Sequence, residues 1–179
     1  LHSHPGTTSP TLRGKAVREN ILCQRVPPPP GDVDFSLVQD ASDPAFRTVR
    51  QRLTEHRENP TCAACHRMTD PIGLTLEVFD TSGVCRTTEN GAPIDTSGTF
   101  RRQPYADVVE LVPILRNDPA VTSCLINRAF SYGTARMPSD GELGWLFDTR
   151  AELMETEVTW RDLMRRIARN PDFYTNVFD

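Results

Sequence analysis

Residues 59–73 read N-P-T-C-A-A-C-H-R-M-T-D-P-I-G and gather the side chains best suited to chemistry. Cys62, Cys65 and His66 form a Cys-x-x-Cys-His pattern. Three chemistries use this spacing. In c-type haem attachment, two thiols add across the haem vinyl groups and the adjacent histidine becomes the proximal iron ligand. A thiol–disulfide redox pair usually opens a helix within a βαβ unit, and no such unit precedes Cys62. Zinc needs further ligands at matching spacing. The chain has no second Cys-x-x-Cys and no His-x3-5-His pair, so zinc would have to recruit isolated residues such as His56 or Cys85. The pattern therefore predicts one covalent haem c on Cys62 and Cys65, with His66 as the iron ligand. Covalent haem attachment takes place outside the bacterial cytoplasm, which predicts a periplasmic or otherwise exported protein.

The neighbouring residues suit such a pocket. A proximal histidine normally donates its second ring N–H to a carbonyl or carboxylate, which fixes the tautomer and tunes the metal. Asp70-Pro71-Ile72-Gly73 reads as a turn that offers a backbone carbonyl there, or equally as the cap of a following helix. Arg86 presents a planar fork that matches a haem propionate, or a solvated surface. The sixth iron ligand separates the functions: a closed His/Met or His/His haem transfers electrons, and an open distal site allows chemistry on a ligand such as peroxide. Met137, in the loop G-T-A-R-M-P-S-D, is the distal candidate. His56 is the alternative, with propionate binding or helix capping as its other uses. Met68 is too close to His66 to reach the opposite face. Met154 and Met164 fall in amphipathic helices and read as core. His2 and His4 lie in a terminal segment.

The elements that must position these residues are mostly helical. Residues 1–11 read as irregular. A helix is predicted from Arg13, with Val17, Ile21 and Leu22 at helical spacing. Pro27–Pro30 reads as a stiff polyproline spacer. Asp43-Pro44 reads as the start of a helix with Phe46, Val49 and Leu53 on one face, closed by Asn59-Pro60. A short helix is predicted after Pro71. Asn90-Gly91, between two short extended runs, predicts a hairpin. Four more helices follow: Tyr105 to Arg116, Pro119 to about Ala135, Ser139 to about Glu155, and Trp160 to Asn170. Asp118-Pro119, Ser139-x-x-Glu142 and Thr159-x-x-Asp162 mark their starts. The fold class is mostly α, with a small β-hairpin and long proline-rich loops.

Composition agrees with a globular chain of one domain or two small ones. It has 179 residues, 37% hydrophobic, with a net charge of −4. That charge argues against a nucleic-acid surface, and no apolar run is long enough to span a membrane. Lys15 is the only lysine, which leaves no other residue for lysine-based catalysis. The start at Leu1, without a signal peptide, is read as a missing leader or upstream part.

S-P-T-L-R-G-K-A-V-R-E-N-I-L-C-Q-R-V-P-P-P-P, and the block from H-R-E-N-P-T-C-A-A-C-H through A-P-I-D-T-S-G, resemble the planctomycete-type cytochrome domain of unknown function. C-L-I-N-R-A-F-S-Y-G-T-A-R resembles the small helical domain that follows it in such proteins. The resemblance implies a cytochrome c-like haem-binding domain over residues 1–100 and a C-terminal helical domain over 101–179. It also implies a disulfide between Cys23 and Cys124, at family-like positions, joining the two parts. Cys85 stands where the family places a large aromatic, and is expected to be a free, packed thiol. The implied function is single-electron transfer to or from a partner protein or missing upstream domains. The alternatives are a peroxidase-like haem enzyme or small-ligand sensor, and a structural subunit of an exported assembly.

Overall fold

The computed structural model of the chain describes residues 3–4, 7–29, 44–56, 60–156 and 159–174. These belong to two compact units, one of Leu1–Asn20 with Gln24–Ile114 and one of Ile21–Cys23 with Leu115–Asp179. The fold is mostly α with small antiparallel hairpins. Among the described residues, no helix is long and apolar enough to cross a membrane.

The first unit starts with a two-residue hairpin, β1 (Ser3–His4) and β2 (Thr7–Thr8). Helix α1 covers Pro10–Asn20 and so begins three residues before the predicted Arg13. Ser9 caps it: its hydroxyl accepts from Leu12 N and its carbonyl from Arg13 N. Pro10 then takes the first helical position, where its missing N–H costs nothing. The predicted Asp43 start lies outside the described residues. Helix α2 begins later, at Val49, and runs to His56. Its cap is reciprocal: Thr48 N donates to Gln51 Oε1, and Gln51 N to Thr48 Oγ1.

Helix α3 spans Pro60–Thr75 and continues into a 3₁₀ turn at Leu76–Val78. Asp70–Gly73 is therefore neither a turn nor a helix start. Pro71 is accommodated inside the helix, at the loss of one backbone hydrogen bond. Asn90-Gly91 forms the predicted hairpin between β3 (Thr88–Glu89) and β4 (Ala92–Pro93), both residues at positive φ. A second hairpin, β5 (Gly98–Phe100) and β6 (Gln103–Tyr105), turns on Arg101 and Arg102 at φ 47° and 69°. Tyr105 is thus in a strand, and helix α4 starts at Val108 and ends at Arg116.

The second unit packs α5 (Pro119–Thr134), α6 (Asp140–Glu155), α7 (Trp160–Arg169) and a terminal 3₁₀ turn. Ile126, Ala129, Phe130, Leu146, Leu163 and Ile167 form its core, with Trp145, Leu153, Met164 and Phe173 against them. All three predicted starts are present: Asp118 accepts from Ala120 N, Ser139 and Glu142 close a capping box, and Thr159 accepts from Asp162 N. Met164 packs as expected, whereas Met154 is exposed. Cys23 and Cys124 form a disulfide, which fastens the Ile21–Cys23 segment within this unit.

Candidate functional site

Cys62, Cys65, His66, Thr69, Asp70 and Gly73 recur at three- and four-residue steps along α3, so they share one stripe of the helix. Cys62 is buried and Cys65 partly so, and neither is in a disulfide. The stripe lies against α1 at very short range. A Cβ at Gly14 would collide with the Thr69 carbonyl, and one at Gly73 with the Pro10 carbonyl. Two glycines thus let the helix backbones touch, and a side chain from α1, Thr11, reaches His66 and Asp70.

His66 Nδ1 lies 2.9 Å from Asp70 Oδ2 and 3.1 Å from Oδ1. Asp70 is fully buried, and the His66 side chain is 13% exposed. An ionised carboxylate only accepts, so this contact places the ring proton on Nδ1. The Thr11 hydroxyl donates to Asp70 Oδ1 at 2.9 Å, and the Thr69 hydroxyl is shared between Asp70 Oδ1 and the Cys65 carbonyl, each at 3.2 Å. His66, Thr11 and the shared Thr69 hydroxyl therefore satisfy a carboxylate that would be costly to bury alone. With Nδ1 committed to Asp70, Nε2 is the ring nitrogen that could hold a metal. Two reduced thiols, a histidine of set tautomer and a buried carboxylate behind it suit haem c: Cys62 and Cys65 would carry the thioethers and His66 the iron.

Behind the stripe sits a second buried carboxylate, Glu77, at 1% exposure. It accepts from Thr8 Oγ1 at 2.6 Å, Arg86 Nη2 at 2.7 Å and Arg13 Nη1 at 3.2 Å. Burial raises its pKa against the pull of Thr8 and both arginines. Arg13 also donates to the carbonyls of Leu76, Phe79 and Asp80, which closes the end of the α3 segment. Tyr105 donates to the Pro71 carbonyl at 2.8 Å, and burial raises the phenol's pKa.

The sequence-predicted residues are distributed as follows. Cys62, Cys65 and His66 come together on α3, with Pro71 one turn beyond. The histidine's partner is the Asp70 carboxylate rather than a backbone carbonyl. Arg86 is engaged by Glu77, through its side chain and its carbonyl. Met137 belongs to the second unit and is 75% exposed, with Sδ 3.8 Å from Ser131 Oγ. His56 is the last residue of α2, and its side chain lies outside what is described. Cys85 is free but exposed, not packed: it bridges to Phe79 in a short extended pair that turns its side chain to solvent. Among the described residues, no group of three or more His, Cys, Asp or Glu side chains is arranged to hold a metal ion by itself.

Sequence reasoning missed Asp70, Thr11, Gly14 and Gly73. Asp70 had a signal, since it stands four residues after His66. Pro71 hid that signal by suggesting a helix boundary. Thr11 was hidden because the helix was started at Arg13.

Residues 1–89 match the family model PSCyt3, described as a protein of unknown function (DUF1588). Through its first half, the chain belongs to the PSCyt3 family. No curated protein and no solved structure matches the chain. The PSCyt3 segment holds α1, α2, α3 and the first hairpin strand after Arg86, so the whole stripe and both buried carboxylates fall inside it. The name marks a cytochrome-type family, and the disulfide is compatible with an exported protein.

Proposed function

We propose that this PSCyt3 protein is a c-type cytochrome module that carries one covalent haem and passes single electrons to or from a partner protein or upstream domain outside the cytoplasm. The observation that carries it is the stripe on α3, where Cys62, Cys65 and His66 stand together on one face of the helix. In this proposal Cys62 and Cys65 would tether the haem through thioethers, and Nε2 of His66 would hold its iron. When bound, haem c supplies one-electron iron chemistry. The residues of the chain do the rest. Asp70 orients the ring and holds the Nδ1 proton, Thr11 and Thr69 hold Asp70, and the Gly14/Gly73 crossing keeps α1 in place behind them.

Met137 would supply the second iron ligand, with His56 as the alternative. A reduced and oxidised visible spectrum of protein made with a haem-attachment system tests both. A low-spin c-type spectrum whose weak far-red ferric band disappears in Met137→Ala supports Met137. Loss of the low-spin spectrum in His56→Ala instead moves the ligand there. A high-spin spectrum in the unmutated protein overturns the electron-transfer assignment in favour of a haem enzyme or small-ligand sensor. The carboxylate on the proximal histidine is the observation that favours this second function, because it makes the imidazole a stronger donor to iron.

A further inference from the structure

The Asp70 carboxylate is held from two sides that act in opposite senses. His66 Nδ1 donates to Asp70 at 2.9 Å, and an acceptor behind the imidazole raises its basicity toward a metal. On the other side, Thr11 donates to Asp70 Oδ1 at 2.9 Å, and Thr69 shares its hydroxyl proton between Asp70 Oδ1 and the Cys65 carbonyl, each at 3.2 Å. Each hydroxyl draws on the same negative charge and weakens Asp70 as an acceptor for His66. Thr69 is on the ligand helix, but Thr11 comes from α1, 59 residues upstream. Its hydroxyl also lies 3.4 Å from His66 Nδ1. The contact exists only because Gly14 and Gly73 let the two backbones meet. Asp70 and Thr69 are buried and Thr11 and His66 partly so, and a change of one hydrogen bond is felt most strongly where water is excluded.

We propose that Thr11 and Asp70 are opposed positioning residues that set the reduction potential of the His66-bound iron. Asp70 favours the ferric state by strengthening imidazole donation. Thr11 moderates that effect by taking part of the carboxylate's charge. The inference deepens the haem c assignment and rests on it.

The test uses the full chain matured with haem, and reads the reduction potential by redox titration. Asp70→Asn keeps the shape but not the charge. It is expected to shift the ferric/ferrous equilibrium about tenfold toward ferrous, ~59 mV upward for one electron. Thr11→Val keeps the volume and removes the donor. It is expected to shift the equilibrium about threefold toward ferric, so the two variants move in opposite directions. Thr11→Ser should restore the original potential. Equal potentials in all variants overturn the proposal, as do shifts of the same sign in Asp70→Asn and Thr11→Val. If Asp70→Asn fails to mature, the Thr11 pair decides alone: a downward shift restored by serine supports the proposal, and no shift ends it. Failure to attach any haem to the unmutated chain would instead refute the haem c assignment, so the two failures are distinguishable.

Discussion

The two units solve the problem of an interior in different ways. The second is assembled on apolar side chains: Ile126 and Phe130 are completely buried, with Leu163 and Ile167 beside them. In the first, Phe100, Leu53, Ile72 and Leu74 are buried as well, but polar side chains share the interior with them. Its most buried residues include Thr69, Asp70, Thr75 and Glu77, and its central helices meet backbone to backbone at Gly14 and Gly73. An apolar core tolerates exchange of similar side chains. A polar, glycine-spaced one specifies the position of each group, which is what a ligand set requires. The difference teaches that the first unit adds to its apolar interior a polar, glycine-spaced one, which fixes the positions of Cys62, Cys65 and His66 on their helix.

Substitutions at the two centres should break this contrast most visibly. Phe130→Ala opens a cavity in the second unit and should cost about 4 kcal/mol. Trp145 and Trp160, the chain's two tryptophans, both lie in that unit, so tryptophan fluorescence in a urea titration reads the loss there. Glu77→Ala leaves Arg13 and Arg86 without their buried carboxylate, and should cost the first unit about 3 kcal/mol. Amide hydrogen exchange in α1 and α3 should show that loss, with α5–α7 unchanged.

Glycine replacements sharpen the contrast. Gly14→Ala drives a Cβ into the Thr69 backbone and should destabilise the first unit by about 3 kcal/mol, since neither helix can give way without breaking the crossing. Gly144→Ala, inside α6, meets nothing within 4 Å and should stabilise the second unit by about 1 kcal/mol through helix propensity. Unfolding curves of the two variants should therefore move in opposite directions.

Acid separates the units more gently. In the second unit, Glu142 makes a bidentate pair with Arg136 and closes the Ser139 capping box. The Arg136 hydrogen bonds lower its pKa to about 2, against burial. Its folded pKa lies below the ordinary 4.5, so its stabilisation is fully present above pH 4.5 and is lost as pH falls toward 2. Glu77 has the opposite sign. Burial raises its folded pKa, so the folded first unit holds a proton more tightly, and this contribution fades as pH rises from 4.5 through the raised value. Tryptophan fluorescence should show the second unit weakening between pH 4.5 and 2, and Glu142→Gln should flatten that dependence.

Helix starts in the second unit were legible because their caps are local: Asp118-Pro119, Ser139-x-x-Glu142 and Thr159-x-x-Asp162 each carry their own hydrogen bonds. Asn90-Gly91 was legible for the same reason, since both residues accept positive φ cheaply. The Arg101-Arg102 turn was not, because nothing in two arginines signals left-handed backbone and the surrounding strands impose it. Ser9-Pro10 carried the same cap signal as Asp118-Pro119 and was passed over among the prolines of the first eleven residues. At the candidate site, Cys62, Cys65 and His66 were legible as a motif. Their support was not, because Thr11 and Gly14 reach α3 through a contact between segments more than fifty residues apart, which no local pattern encodes.

The most direct test of the account is the intact mass of the denatured, purified protein, made in cells that attach haem c outside the cytoplasm. The account predicts the chain plus one haem, retained through denaturation, with the added mass on the peptide that contains Cys62 and Cys65 and absent from a Cys62→Ala/Cys65→Ala variant. A mass equal to the chain alone, from cells that load a control cytochrome, would contradict it.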